Sequence, residues 1–388
     1  MPIQGTFSSH YDAIVVGARC AGAATAMLLA RQGARVLMID SGAQGTDTMS
    51  THALMRGAVM QLTSWGLLDR IERAGTPPIR STAFVYGSEA IEVEIKPSHG
   101  VDALYAPRRY VLDSILVEAA IEAGVDARFG VTCRGLLHGP DGRVRGILAG
   151  VEGGATFSVT GDIVIGADGR RSAVARFVNA AVVRQSDHAT SVVYGYFDGI
   201  EHRGNRWYFM PGLSAGAIPT NAGQTCVFVA MPRQFYLSSV RGFLDDGLHT
   251  VACAFPELRA ALATANLTAR PVGFIGQKGH MRRAAGPGWA LVGDAGYFKD
   301  PLTAHGITDA LRDAEILARA FAGGASTLDG YQQTRDALSR ELFEVTDAIA
   351  SLTWSLEELK VLHMRLNGIM KEEQDWIQNE FARDLRAA

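Results

Sequence analysis

"YDAIVVGARCAGAATAMLLARQGARVLMID", Tyr11 to Asp40, is the stretch on which the reading of this chain turns. It opens on a short apolar run, Ala13 to Val16, of the kind that a parallel strand buried on both faces requires. After the turn Gly17-Ala18-Arg19-Cys20-Ala21-Gly22 come Ala23 to Arg31, rich in good helix formers, with Gly33 as a natural stop. Val36 to Ile39 supplies a second strand that ends in an acid, Asp40. Strand, glycine turn, helix and strand in this order predict a dinucleotide-binding unit. Gly17 makes the corner and Gly22 allows close helix packing. The N–H groups of Cys20 and Ala21, at the helix N-terminus, favour a pyrophosphate there. Asp40 stands eighteen positions beyond Gly22, the reach of an acid onto a ribose hydroxyl. Arg19 replaces the fingerprint's middle glycine, which is tolerable only with a negative φ and a side chain lying along or away from the phosphates. Its guanidinium is expected at the edge of the site, adding positive charge.

At 388 residues the chain is long enough for roughly two domains. A net charge of −3 without a basic stripe demotes nucleic acid as a partner. Four scattered cysteines (Cys20, Cys133, Cys226, Cys253) without a CxxC pair read as reduced thiols of a cytoplasmic protein. The apolar run Ala13 to Ala30 has no basic residue before it and is interrupted by Arg19, so it reads neither as a signal peptide nor as a membrane span. The ten histidines show no metal-ligand spacing, and no G-x-S-x-G elbow occurs, so neither a metal site nor a serine hydrolase is expected.

The pattern then alternates. "STAFVYGSEAIEVEIKP" reads as a hairpin and "RRYVLDSILVEAAIEAGV" as a helix, while "DIVIGADGRRS" is a buried strand entering a turn. Strand-like pieces fill much of Val183 to Val272, and the chain beyond Leu328 is helical in pattern. The expected architecture is α/β with an α+β insertion. A discontinuous Rossmann-like domain takes 1–80, 106–182 and 273–327, an antiparallel-sheet substrate domain takes 81–105 and 183–272, and a helical tail takes 328–388.

Two later motifs join the first: "GADGRRSAVAR" from Gly166 and "LVGDAGYFKDPLTAHGITDALRDAE" from Leu291. With them the chain resembles the FAD-dependent oxidoreductases similar to para-hydroxybenzoate hydroxylase. Asp168, Gly169 and Ser172 match that family's D-G-x-x-S-x-x-R, with Arg176 one place late; Gly293 and Asp294 match its G-D motif. Pro301, Gly306, Asp313 and Ala314 keep the register of P-x-x-G-Q-G-x-N-x-G-x-x-D-A, while Ala304, His305, Thr308 and Ala310 depart from it. Arg109 and Leu112 match an R-x-x-L motif, and "RGAVMQLTSWGLLDRI" resembles the segment that brings an arginine, here Arg56, toward the pyrophosphate. "KDPLTAHGI" is also similar to the loop of geranylgeranyl reductases and flavin-dependent halogenases; the Trp-x-Trp-x-Ile-Pro signature of halogenases is absent.

The resemblance implies FAD held by Gly17, Arg19, Cys20, Ala21, Gly22, Asp40, Arg56, Arg109, Asp168, Gly293, Asp294, Pro301, Gly306 and Ile307. It implies a monooxygenase in which NAD(P)H reduces the flavin, O2 adds at flavin C4a, and one oxygen passes to a small aromatic or polycyclic substrate. Reductase, desaturase or halogenase chemistry is the alternative, and an FAD-binding sensor or scaffold a third. No second glycine fingerprint is evident, so the nicotinamide binds transiently or a partner reductase supplies electrons. His52, His305 and Pro301 are the candidates for direct roles beside the flavin. Trp207, Tyr208, Phe209, Met210 and Pro219 are the substrate candidates, with alternate members of the tetrad on opposite strand faces. The tail packs over the FAD domain or forms a dimer contact, leaving monomer and homodimer both open.

Overall fold

A computed structural model describes residues 8, 10–322 and 328–387. The expected junction between 327 and 328 falls partly outside the described residues. The opening stretch folds as a strand, Tyr11–Val16, a helix, Cys20–Arg31, and a strand, Val36–Asp40. Tyr11–Val16 sits centrally in a sheet, paired in parallel with Val36–Asp40 on one side and Thr156–Gly166 on the other. Asp126–Phe129 and Trp289–Leu291 extend the sheet in parallel at its two sides. Such strands need cover on both faces. Ala13 and Val15 pack into a cluster with the alanine-rich face of Cys20–Arg31, and Ile14 and Val16 pack into a second cluster with the strands Val131–His138 and Val144–Val151.

Helix Cys20–Arg31 is flanked by helices Arg109–Glu122 and Gly306–Ala322. Ala23, Ala24 and Ala26 have no exposed surface; with methyl-sized side chains in the interface, the helices approach closely.

The inserted segments build a second sheet from Ser81–Tyr86, Glu89–Glu94, Thr190–Asp198, Asn205–Met210, Leu213–Pro219 and Thr225–Pro232, with shorter strands at its side. Every pairing among these is antiparallel except Ser81–Tyr86 with Asn205–Met210, which run parallel because they come from chain segments far apart. Short helices cover one face, packing on Val193, Tyr208, Val227 and Val229. The other face carries Tyr194, Tyr196, Trp207, Phe209 and Phe228 into the main core.

The tail is two helices, Leu328–Ala350 and Leu356–Ala387. The break uses neither glycine nor proline: Leu352 takes a left-handed φ of 54°. A capping box then restarts the helix, Ser355 Oγ accepting from Glu358 N–H at 3.2 Å and Glu358 accepting from Ser355 N–H at 2.7 Å. The second tail helix packs on Arg56–Ser64, and His363 lies 4.7 Å from the Phe209 ring, centroid to centroid. One tail therefore touches both sheet domains. Among the described residues no helix is long and apolar enough to cross a membrane.

Candidate active site

The three sequence motifs converge on one cavity of about 710 Å³. Part of its wall comes from the parallel sheet: Gly17, Arg19, Cys20 and Ala21 of the first turn, Asp40 at the end of the second strand, and Asp168 to Arg171. The remainder comes from Thr48 to Ala53, from Val192, Tyr194 and Phe274 of the antiparallel sheet, and from Tyr297 to Pro301 with Ala304, Gly306 and Ile307. The loop and the insertion thus complete a cleft that the β-α-β unit begins.

The residues present fit a dinucleotide. Gly17 has φ 107°, and a Cβ there would stand 2.4 Å from the Ala167 carbonyl oxygen. A Cβ on Gly22 would stand 1.8 Å from the Gly17 carbonyl, so both glycines are required by backbone proximity. No side chain caps the helix that follows, and Arg19 at its N-cap has φ −91°. Its first-turn N–H groups face the cleft as an uncapped anion site. Arg19 is exposed on the cleft rim. Asp40 accepts from the Ala18 N–H at 2.8 Å and the Gly42 N–H at 2.7 Å, and so holds the turn as well as lining the cleft.

Gly22 and Gly293 do not line the cavity. Gly293, at φ 55°, lets the Gly-Asp turn approach Ala21 and Ala310 of two helices. Asp168 lines it while capping the next helix, accepting from the Ser172 hydroxyl at 2.5 Å and the Ala173 N–H at 2.6 Å. Asp294 is a half-buried wall residue; desolvation raises its pKa, and Lys299, Arg170 and Arg109 pull it back. Arg109 is fixed by Asp113 at 3.0 Å, and Asp113 also accepts from the Cys20 thiol at 3.0 Å.

Several expected positions fall elsewhere. Arg56 does not reach the cleft: its guanidinium is spent on the carbonyls of Lys96, Ser98 and Val101, tying a loop to the Arg56–Ser64 helix. Trp207, Tyr208, Phe209, Met210 and Pro219 are not in the cavity wall. The alternation predicted for the tetrad is present, but the inward pair is covered, Trp207 by Phe228 and Phe209 by Trp354 and His363. Tyr208 and Met210 pack on the outer helices. His305 is also outside the wall; it is 1% exposed, with Nε2 2.7 Å from Glu373 of the tail.

His52 does line the cavity. Its backbone is left-handed at φ 66°, a conformation that surrounding structure must impose on a non-glycine residue. The ring is tied through Nε2 to the Tyr196 hydroxyl in a short hydrogen bond. Burial, then the Arg109 and Arg108 charges, push its pKa far down, so the imidazole is neutral. Arg108 stacks 3.5 Å over the Tyr196 ring and pairs with Asp47. Tyr194 accepts the Ser50 N–H at 3.3 Å, which pins the same segment.

The sequence reading missed a buried ionic cluster that reaches the cleft wall through Lys299 and Asp309. Lys299 and Asp309 are in direct contact, and Arg312 reaches Asp309 at 3.2 Å, Asp313 at 3.0 Å and Glu373 at 2.7 Å. A signal was present: Asp309, Arg312 and Asp313 recur at i, i+3 and i+4 among the apolar positions of an amphipathic helix, where charges are expected only in pairs. His305, Asp309 and Glu373 bring donor atoms within 4.8 Å of one another, a spacing a metal ion would accept. Lys299 and Arg312 already supply positive charge there, paired with Asp309 and Glu373.

Residues 10–199 match the FAD binding domain family. The chain is 25% identical to a digeranylgeranylglycerophospholipid reductase of Methanocella arvoryzae, over 88% of this chain and 84% of that one. It is 25% identical to a 6-methylpretetramide 4-monooxygenase of Streptomyces rimosus, over 85% and 80%. Its fold is similar to that of the FAD-dependent chondrochloren halogenase of a myxobacterium, with a TM-score of 0.78 and 18% identity over 96% of this chain and 97% of that one. The FAD binding domain match, three convergent motifs and a cleft that demands its glycines agree: this protein is an FAD-dependent oxidoreductase.

Proposed function

We propose that the protein is an FAD-dependent monooxygenase acting on a small aromatic or polycyclic molecule, with NAD(P)H or a partner reductase as the electron source. One observation carries this reading. The cleft, about 710 Å³, must hold FAD, and a substrate molecule would meet it against walls from the antiparallel sheet and the 297–301 loop. The wall offered to that molecule by Met49, Val192, Tyr194, Phe274 and Phe298 is apolar and aromatic.

Bound FAD supplies the redox chemistry and the activation of O2. The chain's own residues orient and desolvate. The antiparallel sheet gives the cleft apolar wall residues, Val192 and Tyr194, which disfavour water there and so protect reactive species from hydrolysis. The Gly306–Ala322 helix begins at the cleft with Gly306 and Ile307, so its positive end favours negative charge developing there. Pro301 packs in the wall on a short turn whose N-cap, Asp300, accepts from the Leu302 N–H at 3.0 Å.

A second reading, a flavin-dependent reductase, is favoured by the 25% identity to a digeranylgeranylglycerophospholipid reductase over 88% of this chain. The two readings separate experimentally. Purified yellow protein, given NADH or NADPH and a panel of phenols and polycyclic ketones under 18O2, is expected to yield a product carrying one labelled oxygen. An unlabelled, hydrogenated product formed equally well without oxygen would overturn the first reading in favour of the second. Bound flavin that no nicotinamide donor or reductase ever reduces would mark a sensor or scaffold.

A further inference from the structure

We propose that Lys299 is a positioning residue for charge, holding a cation at the cleft that stabilises negative charge on the reduced flavin. The inference rests on the FAD site alone and not on the choice between oxygenation and reduction.

Lys299 lies in the wall of the cleft, two residues before Pro301, and its side chain is only 4% exposed. A buried lysine is expensive unless paired, and here the pairing is with Asp309, also in the wall. The ammonium further lies 5.0 Å from the centroid of the Tyr297 ring. Burial pulls its pKa below the ordinary lysine range; the Arg312 charge adds to this and Glu373, Asp294 and Asp313 oppose it.

The sign of its effect follows from counting charges. Arg312 and Lys299 face Asp309, Asp313 and Glu373, with His305 sharing Glu373. Taken with a neutral imidazole, three carboxylates of the cluster oppose two cations; Asp294 stands in the same wall, opposed there by Arg170 and Arg109. Removing Lys299 leaves the carboxylates further in excess beside the cleft and disfavours any added electron density on a ring bound there. Removing Asp309 shifts the balance the other way. A residue that served only to pack the loop would give no such opposition of sign.

The helix N-terminus at Gly306 contributes to the same stabilisation, but its partial charge is fixed by the backbone and falls off within a turn. Lys299, when protonated, adds a point charge in a buried part of the wall, where it is screened less than a surface lysine.

The test uses FAD-loaded wild-type protein, Lys299→Met, Lys299→Arg and Asp309→Asn, with flavin content measured by absorbance. Sulfite is the probe: it forms a bond from sulfur to N5 of the oxidised flavin and leaves the ring anionic, so its affinity reports nearby charge without turnover. Titrations at about pH 6.5 lie below the lowered lysine pKa of about 7 and keep the ammonium form in the majority. Lys299→Met is expected to weaken sulfite binding about tenfold or more, Lys299→Arg to restore it to within about threefold, and Asp309→Asn to tighten it. The two-electron potential should fall in Lys299→Met by about 30 mV, the equivalent of tenfold. Wild-type sulfite affinity and potential in Lys299→Met that keeps its flavin would overturn the proposal. So would shifts of the same sign in Lys299→Met and Asp309→Asn, or loss of flavin from both, since either outcome assigns the pair to holding the loop. Failure to detect an oxygenated product would leave this result standing and count only against the monooxygenase reading.

Discussion

Glu373→Ala tests whether the tail helix is welded to the FAD domain by charge. Glu373 sits 2.7 Å from Arg312, with side-chain exposures of 4% and 0%, and 2.7 Å from His305, which is equally buried. Burial opposes its ionisation, but His305 and Arg312 outweigh that and hold its pKa well below the usual carboxylate range. Truncating one member of a buried pair costs about 3–5 kcal/mol, because the other charge stays desolvated. Arg312 keeps Asp313 at 3.0 Å and the Ser339 hydroxyl at 2.7 Å, so the lower end, about 3 kcal/mol, is expected. Urea unfolding of the FAD-free protein, followed by circular dichroism and tryptophan fluorescence, measures the loss. The internal control is Glu122→Ala, whose pair with Arg70 is just as short at 2.6 Å but is exposed at the surface, and whose loss should be imperceptible. The sign with pH is fixed as well. A depressed folded pKa means that Glu373 contributes fully above its ordinary value of about 4.5 and loses that contribution as acid carries the pH below it. Glu373→Ala should therefore be less sensitive to acid over that window. A loss below about 1 kcal/mol, like that of a surface pair, would refute the reasoning.

Three further outcomes are expected. Gly22→Ala should weaken FAD binding by at least about tenfold and cost roughly 1–3 kcal/mol, because its Cβ meets the Gly17 carbonyl at 1.8 Å; Gly242→Ala, with open space around it, is the control in a flavin titration. Asp300 is held by the Thr190 N–H at 2.7 Å and Thr190 Oγ1 at 2.8 Å, yet burial raises its pKa to about 6. Its contribution is therefore full below its ordinary value and fades as pH rises through about 6, and Asp300→Asn should flatten that limb of the stability profile. Cys20, Cys133 and Cys226 are buried and Cys253 is partly exposed, so a thiol reagent should modify Cys253 rapidly in the native protein and all four only after unfolding; rapid native modification of Cys20, which is bonded to Asp113, would contradict the packing of the first helix.

The sequence determined the β-α-β unit, its glycines and the interleaving of two sheets, because each rests on local physics. Gly17 and Gly22 are dictated by backbone clearances a few residues away, and alternation or helical spacing is imposed by the period of each element. The helical pattern of the tail concealed the break that the capping box at Ser355 closes. Arg56, His305 and the Trp207–Met210 strand show where local reasoning stopped. Each has the right residue type and approximate place, but its side chain is claimed by partners distant in sequence: the carbonyls of Lys96, Ser98 and Val101, Glu373, and Trp354 with His363. Only the tertiary structure decided which side chains face the cleft, because its wall is assembled from both sheets and the loop before the Gly306 helix. It also decided that Lys299, Asp309, Arg312 and Glu373 form one buried cluster, since pairing charges out of water requires partners from the loop, its helix and the tail to meet in space.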